Sequence, residues 1–349
     1  MAKKENAQFG TGKTALIIYH FEDNDGVCSG AMFNWYLRHF GFEEKNIAMI
    51  GANYAQLAAI EQSYKEKHGS YKGLFGEYDH LVMTDISFNN WEVMKSLWEQ
   101  FGSRFVWCDH HKPIIEQSIR ENFDDIPGLR DTQCSAILCA YRFLFDQLDA
   151  AYNSNQVPPV LGYLSSWDSW SWVREGLDED WIRSFNVGVT NLSKLSLDFY
   201  YPLFDDWLLE RRPLDGYSDS ENDRFINSAV ELGKIFVDKD KSDAKRLIDD
   251  YGDGEWKVAD TRKAMMVVMH GPSGSQTFKS VKGEYDNGIV FKHLKNGNWT
   301  LSLYNTTNED SFDCGTYLKE KYNGGGHKGA AGCTITPSQF FSMLEKKEV

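Results

Sequence analysis

The amino-acid sequence predicts an α/β fold, with a parallel sheet that helices cover on both faces, followed by a smaller α+β domain at the C-terminal end. In the first half of the chain, short apolar runs alternate with segments of helical periodicity, which is typical of parallel strands joined by helices. From residue 259 on, the sequence instead contains several strand-like runs and a glycine-rich loop. With 349 residues, of which 42% are hydrophobic, the chain is long enough to form two ordinary domains.

The first predicted domain begins with units of strand, loop and helix. The apolar run at residues 15–19 (ALIIY) predicts a strand, and the helical spacing of residues 29–40 predicts the helix after it. The run at 80–84 (HLVMT) predicts a second strand before a helix at 91–101, and the run at 104–108 (RFVWC) predicts a third strand. Ligands of such sheets bind at the carboxyl ends of the strands, so we expect the functional residues there.

The remainder of the chain is assigned from the same patterns. Two further helices are predicted at residues 133–145 and 160–166, and a charged, mostly helical connector follows at about 191–251. The second domain is predicted to contain strands at 264–269, 288–291 and 299–304 and a glycine-rich loop at 324–332. The predicted division is a first domain at 1–190, a helical connector at 191–258 and a second domain at 259–349.

Composition excludes several classes of protein. The formal net charge is -14 and no basic run is visible, which disfavours a protein that tracks long duplex nucleic acid. The polar first twelve residues lack the apolar core of a signal peptide, and no later run approaches the length of a membrane span, so we expect a cytoplasmic protein without a membrane partner. Six cysteines without paired spacing indicate buried thiols and neither a disulfide framework nor a structural zinc site.

The first cluster of chemically active residues follows the first predicted strand. In the segment HFEDNDG, His20, Asp23 and Asp25 offer an imidazole and two carboxylates within six residues, and Gly26 allows the backbone to turn closely behind them. Such groups bind divalent cations. An acidic turn that caps the next helix is the alternative, and for this segment taken alone it is the favoured one.

Two further clusters shift the balance towards a metal site. Asp85 ends one strand, and the triplet Asp109, His110 and His111 ends another, so neighbouring strand ends carry metal-binding side chains. Asp168 stands between tryptophans, where a carboxylate without a cation or a donor would be costly to bury. A surface turn for the triplet and a helix N-cap for Asp168 remain the alternatives.

Five segments in order carry a resemblance to a known family. HFEDNDG, VMTDIS, WCDHH, WDSW and GGGHKGAAG span about residues 15 to 335. This pattern resembles the DHH phosphoesterase superfamily with its DHH-associated C-terminal domain, and it is most similar to the nanoRNase-like oligoribonucleases. The spacing of His20 and Asp23 departs from the two or four residues of many relatives, which leaves Glu22 open as a replacement ligand for Asp23.

The resemblance implies two divalent cations, with Mn²⁺ favoured and Mg²⁺ or Co²⁺ as alternatives. It assigns the first cation to His20, Asp23 and Asp85. It assigns the second to Asp25, Asp85, His110 and Asp168, with Asp85 as the bridge between the two.

The resemblance also implies the residues that act on the substrate. Asp109 would orient a histidine, and His111 would face the scissile phosphate. The loop would bind the substrate through Gly324, Gly325, Gly326, His327 and Lys328. A tight turn with close packing is the common alternative for a glycine-rich loop.

The implied activity is that of a metal-dependent phosphoesterase of exoribonuclease or phosphodiesterase type. We expect it to hydrolyse short oligoribonucleotides or small nucleotides, with 3'-phosphoadenosine 5'-phosphate as a further substrate. A cyclic or linear dinucleotide phosphodiesterase is the nearest alternative, and an inactive nucleotide-binding or sequestering protein is the alternative of another class. Homodimer formation is left open, and residues 167–172, rich in tryptophan, serve either the core or a partner surface, with the core favoured.

Overall fold

Four apolar runs in the first part of the chain form a parallel sheet in the computed structural model. They are β1 (Ala15–His20), β2 (Ile47–Ala52), β3 (His80–Thr84) and β4 (Phe105–Cys108), arranged in the order β2-β1-β3-β4. The structure describes residues 9, 14–39, 41–123, 125–145, 157–205, 219–269, 274–307, 312–326 and 328–349, except for the side chains of 219–222 and 275.

Helices cover both faces of this sheet. Successive residues of a strand point to opposite faces, so the apolar side chains of one strand contribute to two separate clusters. Ala15 and Ile17 of β1 pack into one hydrophobic cluster, whereas Leu16 and Ile18 pack into another. The first cluster contains residues of α1 (Asn24–His39), α5 (Ala136–Phe145), α6 (Pro159–Asp168), α8 (Glu179–Ser193) and α9 (Leu197–Phe204). The second contains residues of α2 (Tyr54–His68), α3 (Trp91–Phe101) and α4 (Lys112–Arg120). A single turn, α7 (Trp172–Glu175), separates α6 from α8.

The chain divides into two compact units, Met1–Phe236 and Val237–Val349, and the division falls within the long helix α10 (Asp219–Tyr251). The second unit contains a mixed sheet in the order β5-β6-β7-β8-β10-β9, in which β6 and β7 are parallel. Its strands are β5 (Asp253–Val258), β6 (Arg262–Val268), β7 (Asn287–His293), β8 (Trp299–Asn305), β9 (Gly325–Gly326) and β10 (Ala330–Ile335). Two helices, α11 (Cys314–Tyr322) and α12 (Pro337–Lys346), contribute to one of its hydrophobic clusters.

The predicted fold class is confirmed: a parallel sheet with helices on both faces is followed by a smaller α+β unit. Strand β2 was not predicted, and α1 begins at Asn24 rather than at residue 29. The early start has a local cause, because Asp23 Oδ1 accepts a hydrogen bond from the Gly26 N–H at 3.0 Å and so caps the helix. The predicted connector contains α9 and α10, whereas residues 206–218 lie outside the described residues.

The cysteines are all free, and five of the six are buried, as the sequence predicts. Of the tryptophans in 167–172, Trp167 and Trp172 pack against the first hydrophobic cluster, whereas Trp170 is 63% exposed. Among the helices in the described ranges, none combines the length and the apolar composition needed to cross a membrane.

Candidate metal centre

The predicted metal-binding residues meet at the carboxyl edge of the parallel sheet. His20 is the last residue of β1, Asp85 follows β3, and Asp109 follows β4. Since β1, β3 and β4 are adjacent and parallel, their carboxyl ends bring these three positions together. Helix α1 adds Asp25 and helix α6 adds Asp168.

A first group of possible cation ligands consists of His20, Asp23 and Asp85, each of which offers one ligand atom within 4.8 Å of the others. The Nδ1 atom of His20 lies 3.0 Å from Asp23 Oδ2 and 3.4 Å from Asp85 Oδ2. Asp23 therefore has two contacts, because its other oxygen caps α1. The helix-capping alternative raised by the sequence is thus compatible with a ligand position for the same carboxylate.

A second group consists of Asp25, His110 and Asp168, again within 4.8 Å of one another. The Nε2 atom of His110 lies 3.6 Å from Asp25 Oδ2, 3.3 Å from Asp168 Oδ2 and 3.2 Å from Asp85 Oδ1. Three carboxylates thus surround one imidazole nitrogen, which can carry a single proton and form one strong hydrogen bond.

Asp85 belongs to the first group and, with His110 and His111, to a third. It is buried, and its φ of 57° lies in the left-handed region that non-glycine residues rarely adopt. Its N–H donates to the Cys108 carbonyl at 3.0 Å, which ties the end of β3 to the end of β4. This backbone conformation places a buried carboxylate between His20 on one side and His110 on the other.

Asp25 is held from the opposite side by the start of helix α5. Its two carboxylate oxygens accept hydrogen bonds of 2.8 Å from the N–H groups of Ala136 and Ile137. Unpaired N–H groups at a helix start favour a negative charge, so α5 positions the Asp25 carboxylate. Behind it, a Cβ on Gly26 would lie 2.0 Å from the His20 carbonyl oxygen, so α1 can approach β1 this closely only with glycine there.

Asp109 is not among the residues of the three ligand groups. It is fully buried, and its Oδ1 accepts from the His110 and His111 N–H groups and lies 2.7 Å from His111 Nδ1. Its Oδ2 accepts from Trp107 Nε1 at 2.9 Å. With Nδ1 committed to Asp109, His111 has Nε2 left to act on a bound molecule, and its side chain is 35% exposed.

Glu22, the alternative ligand, lies at the edge of the site. Its Oε2 is 3.5 Å from His20 Nε2, and its Oε1 accepts from Asn53 Nδ2 at 2.9 Å. Asp23, and not Glu22, falls within the first ligand group.

The donor set fits divalent cations. Asp85 Oδ1 and Asp168 Oδ2 are buried without a hydrogen-bond partner of suitable geometry, which leaves lone pairs directed into the cluster. Carboxylates and imidazoles in this number are ligands for Mn²⁺ or Mg²⁺ and for related divalent ions.

Without a cation, the charges of the site favour protonated histidines. Burial lowers the pKa of His20 and of His110, but their carboxylate partners outweigh it and raise these pKa values to about 10 and about 11. Burial, aided by the charge of Asp85, raises the pKa of Asp168 to about 7. Burial also raises the pKa of Asp85, yet the His110 and His20 rings beside its two carboxylate oxygens prevail and lower it to about 2. Protons on the imidazoles thus occupy the place that a cation would take.

The glycine-rich loop lies in the second unit. Gly326 has a φ of 146°, and a Cβ on it would lie 2.5 Å from the Ala330 carbonyl oxygen, so close packing of β9 on β10 requires glycine. A Cβ on Gly324 would lie 2.7 Å from the Gly332 carbonyl oxygen, whereas one on Gly325 would meet open space. Lys328 accepts through its carbonyl oxygen from the Cys314 N–H. His327 lies outside the described residues.

Two contributions to the site were not predicted. Tyr54, the first residue of α2, places its ring 5.8 Å from that of His111, and α5 supplies the amides that hold Asp25. The apolar run 47–52 followed by Asn53 and Gln56, a capping box at the start of α2, was the available signal for Tyr54. No local pattern indicates that the amides of α5 meet a carboxylate 111 residues earlier.

No protein-family model and no curated protein matches the chain. Among solved structures, an uncharacterized protein from Helicobacter pylori G27 has a TM-score of 0.36 at 19% identity, over 96% of this chain and 99% of that one. The pGpG-specific phosphodiesterase PggH from Vibrio cholerae has a TM-score of 0.49 at 12% identity, over 96% and 97%. RecJ from Thermus thermophilus, in complex with Mg²⁺, has a TM-score of 0.40 at 13% identity, over 96% and 49%.

Proposed function

We propose that the protein is a metal-dependent phosphoesterase of the DHH superfamily that hydrolyses short oligoribonucleotides or small nucleotides. One observation carries the proposal: seven residues from four separate segments form three ligand groups that share members, and Asp85 belongs to two of these groups. The sequence resemblance had divided six of these residues, all but His111, between two cations.

In this proposal the ligand groups keep the roles that the resemblance implies. His20, Asp23 and Asp85 would hold one cation, and Asp25, Asp85, His110 and Asp168 would hold the other. When bound, two divalent cations neutralise phosphoryl charge and lower the pKa of water, so that it attacks phosphorus near neutral pH. The mixed imidazole and carboxylate donors favour Mn²⁺, with Mg²⁺ and Co²⁺ as the ions to compare.

The residues beside the ligand groups would position the substrate. Asp109 fixes the ring of His111 through Nδ1, which directs Nε2 away from Asp109 for a hydrogen bond to a phosphate oxygen. The Trp107 N–H holds Asp109 in turn, so the orientation of His111 rests on a buried chain of hydrogen bonds.

The substrate class rests on charge and on the resemblance. A net charge of -14 without a basic run suits substrates with few phosphates, because long nucleic acids are bound through many cationic contacts. The glycine-rich loop, with Gly324, Gly325, Gly326, His327 and Lys328, would bind a further part of the substrate. Six free cysteines suit a reducing compartment, so we place the reaction in the cytoplasm.

The test compares substrates under one set of conditions. Purified protein with Mn²⁺, Mg²⁺ or Co²⁺ is incubated with a dinucleotide, a five-residue RNA, a cyclic dinucleotide and 3'-phosphoadenosine 5'-phosphate. We expect release of mononucleotides from the short RNAs, its loss with a chelator and its loss in Asp85→Asn. Turnover of the cyclic dinucleotide alone would favour the alternative phosphodiesterase. Tight binding without turnover of any substrate would favour a sequestering protein.

A further inference from the structure

Two cysteines lie in contact on either side of the residues that hold Asp25. Cys134 and Cys139 are separated by 3.7 Å between their Sγ atoms, and neither forms a disulfide. Cys134 precedes α5 by two residues, and Cys139 is the fourth residue of that helix. Side chains so close in space and in sequence need only a small movement to bond.

The two sulfurs differ in their surroundings. Cys139 is fully buried, whereas Cys134 is 5% exposed and lines a cavity of about 270 Å³ together with Arg142 and Arg174. Arg142 Nη1 lies 3.6 Å from Cys134 Sγ, although Asp131 Oδ2, at 3.7 Å, shares this guanidinium. The hydrogen bond from Cys139 lowers the pKa of Cys134 against the effects of burial and of the Asp131 charge, and Arg142 acts in the same direction as Cys139. Cys134 is therefore the sulfur that a small oxidant reaches first.

The segment between the cysteines supports the metal centre directly. Ala136 and Ile137, whose N–H groups hold the Asp25 carboxylate, lie between Cys134 and Cys139. The Ser135 N–H donates to Ser165 Oγ at 3.1 Å, in the helix that ends at Asp168. Cys139 Sγ lies 3.6 Å from the Asp109 carbonyl oxygen. The segment that contains the two cysteines is thus bonded to Asp25 and to α6, and it contacts the backbone of Asp109.

We propose that Cys134 and Cys139 are a peroxide-sensitive dithiol whose disulfide form weakens cation binding at the neighbouring centre. Cys134 sulfur attacks one oxygen of hydrogen peroxide, the O–O bond breaks, and a sulfenic acid and one water form. Cys139 sulfur then attacks Cys134 sulfur, the S–O bond breaks, and the hydroxide leaves with the Cys139 proton as a second water. Two thiols and one peroxide thus give one disulfide and two waters.

Formation of the disulfide would shift the residues that hold the Asp25 carboxylate. A disulfide has an S–S length of about 2.05 Å, so the sulfurs must approach by well over 1 Å from their present separation of 3.7 Å. The backbone at the start of α5 lies between them and absorbs part of this change. Since the hydrogen bonds to Asp25 are 2.8 Å long, a shift of that size misplaces the carboxylate or breaks one of its bonds.

The first experiment detects the bond without reference to activity. The folded, ion-free protein is treated with hydrogen peroxide, the remaining thiols are alkylated, and the protein is digested with trypsin. Cleavage after Arg130 and Arg142 leaves both cysteines in one peptide, 131–142. We expect this peptide to lose two hydrogen atoms and to escape alkylation, and dithiothreitol to reverse the change. Sulfonic acid at Cys134, a bond between Cys139 and Cys108, or unchanged thiols would each overturn the proposal.

The second experiment measures the effect on the centre. Calorimetric titration with Mn²⁺ should show an affinity at least about fivefold weaker for the oxidised protein than for the reduced one. Cys134→Ser should bind Mn²⁺ equally well with and without peroxide, whereas Cys333→Ser, in the second unit, should respond as the wild type does. Equal affinity of the oxidised and reduced wild type, with the disulfide present, would contradict the coupling.

The link between the dithiol and catalysis rests on the proposed function. The dithiol proposal and the proposed activity can nevertheless fail separately. Disulfide formation is read from the peptide and coupling from cation affinity, and neither needs a substrate. A protein that forms the bond and loses Mn²⁺ affinity, yet cleaves no phosphoester, would retain the dithiol and lose the proposed activity.

Discussion

At the scale of single residues, the site contains possible cation ligands and, beside them, residues that form buried hydrogen bonds of another kind. Asp85 is shared by two ligand groups, whereas Asp109 is bonded to Trp107 and to His111. The sequence predicted this difference only through the family resemblance, because two buried aspartates after neighbouring strands look alike in the sequence. The structure gives the two aspartates different surroundings: Asp109 is held by buried hydrogen bonds, whereas Asp85 has a left-handed backbone and lies between His20 and His110.

Replacing Asp109 tests its role as a positioning residue. In Asp109→Asn, the amide accepts hydrogen bonds less strongly than a carboxylate, so His111 loses the partner that fixes its ring. We expect kcat for a dinucleotide to fall by about 10- to 100-fold with Mn²⁺ affinity within a few-fold of wild type. Calorimetry and steady-state kinetics measure the two effects, and a large loss of Mn²⁺ affinity would instead assign Asp109 to the ligands.

Proton release on cation binding tests the electrostatics of the site. In the ion-free protein His20 and His110 have pKa values of about 10 and about 11, so both are protonated at neutral pH. A cation must displace these protons, which means that apparent Mn²⁺ affinity rises as the pH rises. Titrations in two buffers of different ionisation enthalpy give the number of protons released. Zero protons released between about pH 6 and pH 8 would contradict the proposed ligand set.

At the scale of elements, the strand ends were predictable and the contacts between distant elements were not. The apolar runs and the polar residues after them locate β1, β3 and β4, and the rules of parallel sheets place their ends together. The early start of α1 depends on the Asp23 cap, and the support of Asp25 depends on packing of α5 against α1. Such contacts arise from tertiary structure, on which local periodicity gives no information.

A substitution at Gly26 tests the close approach of α1 to β1. In Gly26→Ala the new Cβ would meet the His20 carbonyl oxygen at 2.0 Å, so the two elements must separate. We expect a loss of about 1–3 kcal/mol in the free energy of unfolding together with weaker Mn²⁺ binding, measured by denaturation and calorimetry.

Gly162→Ala is the matched control, because a Cβ at Gly162 in α6 would meet nothing within 4 Å. It should leave stability unchanged or raise it by up to about 1 kcal/mol, since alanine is the better helix former. Equal stability of both variants would show that α1 and β1 are not packed as closely as described.

At the scale of the whole molecule, the chain consists of two units with different kinds of sheet. The first contains the ligand groups, and the second contains the glycine-rich loop. The sequence predicted the order of the two folds. The domain boundaries at 190 and 258 and the binding role of the loop remain predictions.

Substitutions at two neighbouring glycines of the second unit distinguish a role in substrate binding from a role in packing. In Gly325→Ala the new Cβ meets open space, so the unit should stay folded while KM for a dinucleotide rises at least about threefold, if the loop amides bind phosphate. Gly326→Ala should lower stability, because its φ is 146° and its Cβ would lie 2.5 Å from the Ala330 carbonyl oxygen. Thermal denaturation and steady-state kinetics measure both, and an unchanged KM in Gly325→Ala would assign the glycines to packing alone.

The central claim is that the carboxyl edge of the parallel sheet binds two divalent cations through Asp85. The most direct measurement is the number of Mn²⁺ ions bound per chain in wild type, in Asp85→Asn and in Asp243→Asn. Asparagine tolerates the left-handed backbone at position 85, and Asp243 is a surface carboxylate paired with Lys239, so both variants should fold. We expect two ions for wild type and for Asp243→Asn, and an affinity weaker by at least about 100-fold for Asp85→Asn. Two ions bound equally well by Asp85→Asn, or none bound by wild type, would contradict the claim.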